Sequence, residues 1–143
     1  MRGLLGEYHH KLDAKGRLTL PSSFRKVLPE DLVVTESPSG DCLYVFDVEG
    51  FSDWVDSLFA HEDGYDAGNE KHSDVRLVLN SRAKRVEVDS AHRISLAADQ
   101  IAAANLEKDI VLVGDFDHFT IWDAKRWSNF SKGVDVKSIL KKK

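Results

Sequence analysis

Two eight-residue stretches, 76 positions apart, carry the same pattern: residues 13–20 read Asp-Ala-Lys-Gly-Arg-Leu-Thr-Leu, and residues 89–96 read Asp-Ser-Ala-His-Arg-Ile-Ser-Leu. Each begins with an aspartate and has an arginine four positions later. Aspartate at the start of a tight turn accepts hydrogen bonds from the following backbone, and glycine adopts the positive φ that such turns need. The apolar-polar alternation after the arginine is typical of a half-buried strand. Each stretch is therefore predicted to be a turn that leads into a short strand.

The similarity extends beyond these stretches and indicates an internal repeat. Residues 45–54 match residues 121–130 at the same spacing of 76, including the triplets Val-Phe-Asp and Ile-Trp-Asp. Residues 31–34 match residues 109–112 at a spacing of 78, so the second copy has two extra residues before this strand and two fewer after it. This ordered set of matches predicts two related modules of about 50 residues each.

Each module is expected to hold four short strands, a short helix after the second strand and an amphipathic helix at its end. In the first module these are strands 7–12, 17–20, 32–35 and 42–46, a short serine-capped helix through Phe24, Val27 and Leu28, and a helix capped by Asp47 with an apolar stripe of Phe51, Trp54, Val55, Leu58 and Phe59. In the second they are strands 83–88, 93–96, 110–113 and 119–122, an alanine-rich helix ending near residue 104, and a helix carrying Trp127 and Phe130.

The repeat also divides the chain into segments: a first module at 7–54, a helix, acidic loop and linker at 55–82, a second module at 83–126, and a C-terminal helix with a basic tail at 127–143. Within the linker, residues 61–70 are expected to be an exposed loop and residues 74–79 a short helix. A module this small buries little apolar surface alone, so two are expected to pack together as a small barrel, which removes exposed strand edges. The predicted class is mainly β with short helices (α+β).

The motifs resemble those of a known family. Asp-Ala-Lys-Gly-Arg at 13–17, followed by Leu-Thr-Leu-Pro and then Phe24-Arg25, resembles the swapped-hairpin DNA-binding module of AbrB-type proteins. The second Asp-x-x-x-Arg motif at 89–93, together with Val-Leu-Val-Gly at 111–114 and Ile-Trp-Asp at 121–123, is similar to the paired motifs of the MraZ family. The resemblance covers about residues 3–130. It implies two AbrB-like modules packed as a double-split, swapped-hairpin β-barrel.

The resemblance also implies a function. MraZ-like proteins are transcriptional regulators of the bacterial division and cell-wall gene cluster; they bind tandem direct repeats near a promoter and assemble into rings. This chain is therefore expected to bind double-stranded DNA at direct repeats near its own promoter, as a ring-like homo-oligomer associated with the nucleoid in the cytoplasm. No cofactor, membrane contact or small-molecule substrate is expected.

Four side chains at the two turns are predicted to contact DNA: Lys15, Arg17, Arg93 and His92. The planar fork of arginine matches O6 and N7 of guanine, whereas lysine more often contacts phosphate as a point charge. His92 stands where the first turn has Gly16. Three explanations remain open at this point: the second turn has another geometry, histidine tolerates a positive φ there, or histidine donates a hydrogen bond to phosphate.

Three further residues are predicted to structure the turns: Asp13, Gly16 and Asp89. The two aspartates are expected to accept backbone hydrogen bonds and hold the arginines, because a carboxylate offered directly to phosphate would repel it. Weaker candidates for contacts with the DNA backbone are Lys11, Arg25, Lys26, Arg82, Lys84 and Arg85.

Composition supports an ordinary globular protein, with 42% hydrophobic and 31% charged residues. The net charge of -4 gives no overall basic signature for nucleic acid, but residues 1–29 carry six Lys or Arg against two Asp or Glu. Residues 61–71 carry four acidic residues against one lysine. The sequence has no apolar run long enough for a bilayer or a signal peptide. It also has a single cysteine, Cys42, which suits a reducing compartment. Together these features predict a cytoplasmic protein.

Other classes of function are less well supported. The sequence has no nucleophile elbow, phosphate-binding glycine loop or zinc-protease motif, and its six histidines show no spacing typical of a metal site, so neither catalysis nor a metal centre is predicted. The alternative from another class is an AbrB-like antitoxin or interaction module whose main partner is a protein. Antitoxins usually carry one module and a long disordered tail, which disfavours it, although apolar helix stripes suit either self-assembly or a foreign partner.

Overall fold

The computed structural model describes residues 3–141, so Lys142 and Lys143 of the predicted basic tail lie outside the described residues. Its elements are β1 (Glu7–Lys11), β2 (Arg17–Thr19), α1 (Ser22–Arg25), β3 (Asp31–Glu36), β4 (Leu43–Asp47), α2 (Val48–Ser57), a 3-10 helix (Ala60–Glu62), α3 (Glu70–Arg82), β5 (Lys84–Glu87), β6 (Arg93–Ser95), α4 (Ala98–Ala103), β7 (Asp109–Gly114), β8 (Phe119–Asp123), α5 (Ala124–Gly133) and α6 (Val136–Leu140). The predicted class, mainly β with short helices, is confirmed.

The strands form a six-stranded antiparallel sheet, in the order β1-β7-β8-β4-β3-β5, and a two-stranded ribbon of β2 and β6. When each strand is exchanged for its repeat equivalent, the order becomes β5-β3-β4-β8-β7-β1, which is the same sheet read from the other edge, so the two halves are related by a pseudo-two-fold axis. The first strand of each half pairs with the third strand of the other half: β1 with β7, and β5 with β3. In each half the first two strands are thus split between the sheet and the ribbon, as the swapped-hairpin architecture requires.

The main core lies between the sheet and the ribbon. Leu18 and Ile94 lie opposite each other in the ribbon and are buried together with the inward side chains of the sheet. The ring of Phe24 in α1 packs 5.1 Å from that of Phe119 in β8. Because side chains alternate along a strand, burying Leu18 turns its neighbours Arg17 and Thr19 toward the outside of the ribbon.

Helix α2 packs on the outer face of the large sheet. A second buried cluster holds it there: Val33, Phe46, Phe51, Val55 and Phe59. The helix begins after Asp47, as predicted, and the Asp47 carboxylate accepts a 2.6 Å hydrogen bond from the N–H of Gly50. It ends at Ser57, so Leu58 and Phe59 of the predicted stripe lie beyond the helix and Phe59 reaches the cluster from the following turn.

The linker differs from the sequence-based expectation. The expected helix covers only residues 74–79, but α3 runs over thirteen residues and begins inside the predicted loop. Asn69 starts it by accepting hydrogen bonds from the N–H groups of Lys71 and His72 at 3.0 and 3.2 Å. The prediction is too short because apolar residues occur only in the middle of this helix, whereas its start depends on a polar cap.

Two smaller expectations are also wrong. Pro21, and not a serine, occupies the N-cap of α1, and Ser22 is already the first residue of this one-turn helix. Cys42 lies immediately before β4 instead of within the strand, although it is buried as expected, and burial raises the pKa of its thiol to about 12. No helix within residues 3–141 is long and apolar enough to cross a bilayer.

Candidate nucleic-acid interface

The first turn is built around the carboxylate of Asp13. Its Oδ1 accepts hydrogen bonds from the N–H groups of Lys15 and Arg17, both at 2.9 Å. Its Oδ2 accepts a 2.8 Å bond from Nε of Arg17, which makes this an ion pair as well. The backbone closes the turn through the N–H of Gly16, which donates to the carbonyl of Asp13 at 3.0 Å. One side chain therefore fixes both the turn and the arginine after it.

The second turn repeats this geometry bond for bond. Oδ1 of Asp89 accepts from the N–H groups of Ala91 and Arg93, both at 2.9 Å, and Oδ2 accepts from Nε of Arg93 at 3.0 Å. His92 adopts a φ of 62°, close to the 76° of Gly16. The second turn therefore does not have a different geometry, and histidine takes the left-handed conformation there at a cost that glycine would not have.

Hydrogen bonding lowers the pKa of both aspartates. The bond from the N–H of Arg17 is the main reason that the pKa of Asp13 lies below its ordinary value, with smaller contributions from the Arg17 side chain and the N–H of Lys15. The N–H of Arg93 lowers the pKa of Asp89 in the same way. Both carboxylates thus stay ionised to a lower pH than an ordinary aspartate and pair with the arginines, which leaves less negative charge exposed at the turns.

The ribbon brings the two turns onto one surface. Its register places Arg17 opposite Ser95 and Thr19 opposite Arg93, so all four side chains lie on the outer face while Leu18 and Ile94 lie inside. Diagonal positions on such a ribbon are about 7–8 Å apart, which makes the two arginines neighbours. Because the strands are antiparallel, the two turns lie at opposite ends of the ribbon. We call the outer face of β2 and β6 with its two turns the ribbon face.

Sequence reasoning placed the arginines but missed the two hydroxyl residues beside them. Thr19 and Ser95 are exposed on the ribbon face, where hydroxyl groups can contact phosphate or base edges. The alternation in Arg-Leu-Thr and Arg-Ile-Ser was a signal that these residues point away from the core. Their position beside the arginines of the opposite module depends on the pairing of β2 with β6.

Three of the six weaker basic candidates pair with carboxylates. Lys11 pairs with Asp109, Lys84 with Asp99 at 2.6 Å, and Arg85 with Asp31 at 3.7 Å. Two of these pairs join neighbouring strands of the sheet, the Lys84 pair joins β5 to α4, and all three reduce the positive charge available to DNA.

The remaining weaker candidates lie on helices. Lys26 caps the C-terminal end of α1, and Arg82 is the last residue of α3. Arg25 is the last residue of α1, and it borders a surface cavity of about 370 Å³ that His92 and Asp89 also line. It therefore lies beside the second turn. Among residues 3–141, no group of three or more His, Cys, Asp or Glu side chains is arranged to hold a metal ion.

We expect Asp13→Ala to lower the melting temperature, because three hydrogen bonds of the turn are removed together. A carboxyl whose pKa is lowered by folding stabilises the protein above the unfolded-state pKa of about 3.9, and this contribution disappears as the pH falls through the folded-state value. The difference between variant and parent should therefore be largest near neutral pH and should shrink below about pH 4. Thermal melts of variant and parent from pH 7 to pH 3 measure this difference in stability. Asp53→Ala, on the exposed side of α2, is the control. A difference that stays constant over this pH range would contradict the role assigned to Asp13.

The comparison with known proteins identifies the family. The sequence model described as "MraZ protein, putative antitoxin-like" matches residues 4–72 and 79–142, which include both turns. The chain belongs to the MraZ family. The resemblance stated from the paired motifs is thereby confirmed.

Relatives named as MraZ regulators match nearly the whole chain. It is 36% identical over 127 residues to the transcriptional regulator MraZ of Lachnoclostridium phytofermentans, covering 89% of this chain and 86% of that protein. It is 35% identical over 131 residues to that of Mycolicibacterium smegmatis, covering 90% and 86%. With that of Acetivibrio thermocellus it shares 32% over 142 residues, covering 96% and 94%. These relatives are named as regulators and not as enzymes, in agreement with the prediction that the chain is not an enzyme.

Proposed function

We propose that this MraZ-family chain is a sequence-specific DNA-binding transcriptional regulator and that the ribbon face enters the major groove. The observation that carries the proposal is the presence of two arginines, each held by an aspartate of its own turn, on one exposed two-stranded ribbon. The major groove of B-DNA is about 12 Å wide and admits a two-stranded β-ribbon. The names of the relatives as transcriptional regulators support the same function.

The arginines are suited to reading bases. The bonds to Asp13 and Asp89 use Nε, which supplies one of the five N–H donors of a guanidinium. An arginine fixed through Nε loses little further side-chain entropy on binding, and its terminal nitrogens can contact O6 and N7 of guanine together. Lys15 and His92, at the exposed turns on either side, are suited to phosphate contacts that position the ribbon.

The finer role follows from the family resemblance. We propose that the chain regulates the bacterial division and cell-wall gene cluster and binds tandem direct repeats near its own promoter. Repeats that recur at about one helical turn would present the same DNA face to successive subunits. Such a protein works in the cytoplasm, associated with the nucleoid.

A mobility-shift titration on the region upstream of this protein's own gene tests the function. We expect a specific shift whose affinity falls steeply with salt, with a log–log slope of about -0.9 for each DNA phosphate that the protein neutralises. The same titration on a scrambled duplex of equal length is the control. A weak complex on both duplexes would contradict sequence-specific binding, and an affinity independent of salt would contradict the ribbon face as the DNA-binding surface.

Self-assembly into a ring is the second part of the proposal. Apolar side chains remain exposed on the last two helices, and we call them the C-terminal apolar surface: Phe130, Val134, Val136, Ile139 and Leu140. Ile139 and Leu140 are 72% and 71% exposed. An apolar surface of this kind favours association with another subunit.

The native mass measures this. Light scattering at micromolar concentration is expected to give a multiple of the 16.1 kDa chain mass, and Ile139→Asp is expected to lower it by placing a charge in the C-terminal apolar surface. Ser138→Asp, which changes the charge by the same amount at an exposed polar position of the same helix, is the control. A monomer in the parent protein would contradict assembly.

One alternative function retains support. The family description includes "putative antitoxin-like", and an antitoxin could use the C-terminal apolar surface to hold a foreign protein. Purification from its own host distinguishes the two, because an antitoxin elutes as a small complex with a second polypeptide, whereas the regulator elutes as a large homo-oligomer.

A further inference from the structure

The two ends of the ribbon face are not equivalent, although its centre is. Arg17 and Arg93 make the same bonds to their aspartates within 0.2 Å, and their side chains are 30% and 34% exposed. A ribbon with two identical ends would bind an asymmetric DNA site equally well in either direction, because the pseudo-two-fold axis exchanges the two arginines. The arginines alone therefore cannot distinguish a repeat from its reversed copy.

The first end presents a lysine and no side chain at the position after it. Lys15 is exposed, and its repeat equivalent at the second end is Ala91, which has no donor. Gly16 is buried beneath the side chain of Ile101 and the backbone of Leu96. A Cβ at this position would lie 3.0 Å from Cδ1 of Ile101 and 3.1 Å from the carbonyl oxygen of Leu96. The Lys15 ammonium is thus a donor that the second turn lacks.

The second end presents a different group of donors. His92 is exposed at the position of Gly16, and Arg25 of α1 borders the same cavity. By the spacing of 76, Arg25 is the repeat equivalent of Ile101, the residue that covers Gly16. The exchange of an isoleucine for an arginine therefore accompanies the exchange of a glycine for a histidine. The left-handed conformation of His92, at a φ of 62°, is kept despite its cost.

We infer that Lys15 at one end, and His92 with Arg25 at the other, set the direction in which the ribbon face lies on DNA. This rests on the proposed function and adds to it a means of recognising repeat direction. Asp89 has its equivalent in Asp13, but Glu30, which also lines the cavity, corresponds to Lys108 beside the first turn, so the charges around the two ends differ as well. Because phosphate contacts alone carry no sequence information, at least one of Lys15, His92 and Arg25 must also reach a base edge. A hydrogen bond to a base that forms in one direction and is missing in the other discriminates by roughly tenfold or more.

Cleavage of DNA by an iron-EDTA group attached to one end of the ribbon face measures the direction in which the protein lies on each repeat. Ser90 and Ala14 are exposed and equivalent, one at each turn, so Ser90→Cys and Ala14→Cys provide mirrored attachment points for iron-EDTA. Cys42, the only native cysteine, is 3% exposed with its thiol pKa raised to about 12, so it does not compete for the label. The probe is the upstream duplex that the mobility shift identifies.

In the native background we expect each label to cleave one side of every repeat, and the two labels to cleave opposite sides. Replacing the second end with the first, by Ala91→Lys, His92→Gly and Arg25→Ile, should make each label cleave both sides about equally while a mobility shift still shows binding. His92→Gly removes a positive-φ side chain, so the fold is expected to persist.

Two results would overturn the inference. Cleavage of both sides by each label in the native background would show that the protein has no preferred direction. One-sided cleavage that persists in the symmetrised variant would show that another feature, such as the assembly itself, sets the direction. Failure of the native protein to shift the duplex is a distinct outcome, since it removes the proposed function and this inference with it.

Discussion

Arg17→Ala and Arg93→Ala are each expected to abolish specific DNA binding without changing the fold or the native mass. The turn should survive, because the two backbone bonds to Oδ1 of Asp13 or Asp89 do not involve the arginine side chain. If the arginines contact bases as proposed, each variant removes an interaction worth about 1–3 kcal/mol for each subunit. Because linked subunits raise the effective concentration for one another, these effects multiply on a tandem site, and the affinity should fall by far more than for a single site.

Three measurements on the same samples test this assignment: DNA affinity, melting temperature and native mass. Lys71→Ala is the matched control, since it removes one positive charge from α3, which packs against the outer sheet cluster and not against the ribbon. If Arg17→Ala binds like the parent while Asp13→Ala stays fully stable but no longer binds DNA, the roles of the acid and the base have been exchanged.

Gly114→Ala is expected to cause the largest decrease in stability, about 2–4 kcal/mol. A Cβ at this position would lie 2.5 Å from the carbonyl carbon of Leu4 and from the nitrogen of Leu5, both backbone atoms that cannot rotate away. The N-terminal segment would have to leave its place beside β7. That movement would expose Leu4, now 1% exposed, and break its two backbone hydrogen bonds with Phe116 at 2.7 and 2.8 Å.

The control for this prediction is Gly133→Ala. Gly133 is the last residue of α5, and nothing lies within 4 Å of a Cβ placed there, so alanine should leave stability unchanged or raise it slightly. Urea unfolding of both variants measures the difference. Equal midpoints would show that the segment before β1 contributes little to the fold.

Local features could be predicted from the sequence because their causes lie within a few residues. The hydrogen bonds of the Asp13 carboxylate reach only residues 15 and 17, so the Asp-x-x-x-Arg spacing contains the whole turn. The same holds for Asp47, whose carboxylate caps α2 by accepting from the N–H of Gly50, three residues away. The helix in the linker was predicted too short because its cap, Asn69, precedes a mostly polar first turn that carries no apolar pattern.

The candidate site could be predicted in part. The repeat located both arginines and both aspartates, since a duplicated motif predicts duplicated chemistry. The sequence shows that His92 occupies the position of Gly16, but it does not predict the conformation of His92. A positive φ at a non-glycine residue depends on the backbone geometry that the surrounding turn imposes. Arg25 beside His92 could not be foreseen as part of this end, since the two residues lie 67 positions apart in sequence and meet only through the packing of α1.

The two modules, the turn chemistry and the charged residues at the turns follow from the amino-acid order alone, because turns and alternating strands are set by nearby side chains and backbone. The pairing of the strands does not. Strands β1 and β5 each pair with a strand of the other half. The pairing of β2 with β6 buries Leu18 opposite Ile94 and brings Arg17 and Arg93 onto one face. Such pairings arise only in the folded chain, because they depend on contacts between distant segments whose free energy is the burial of a core shared by both halves.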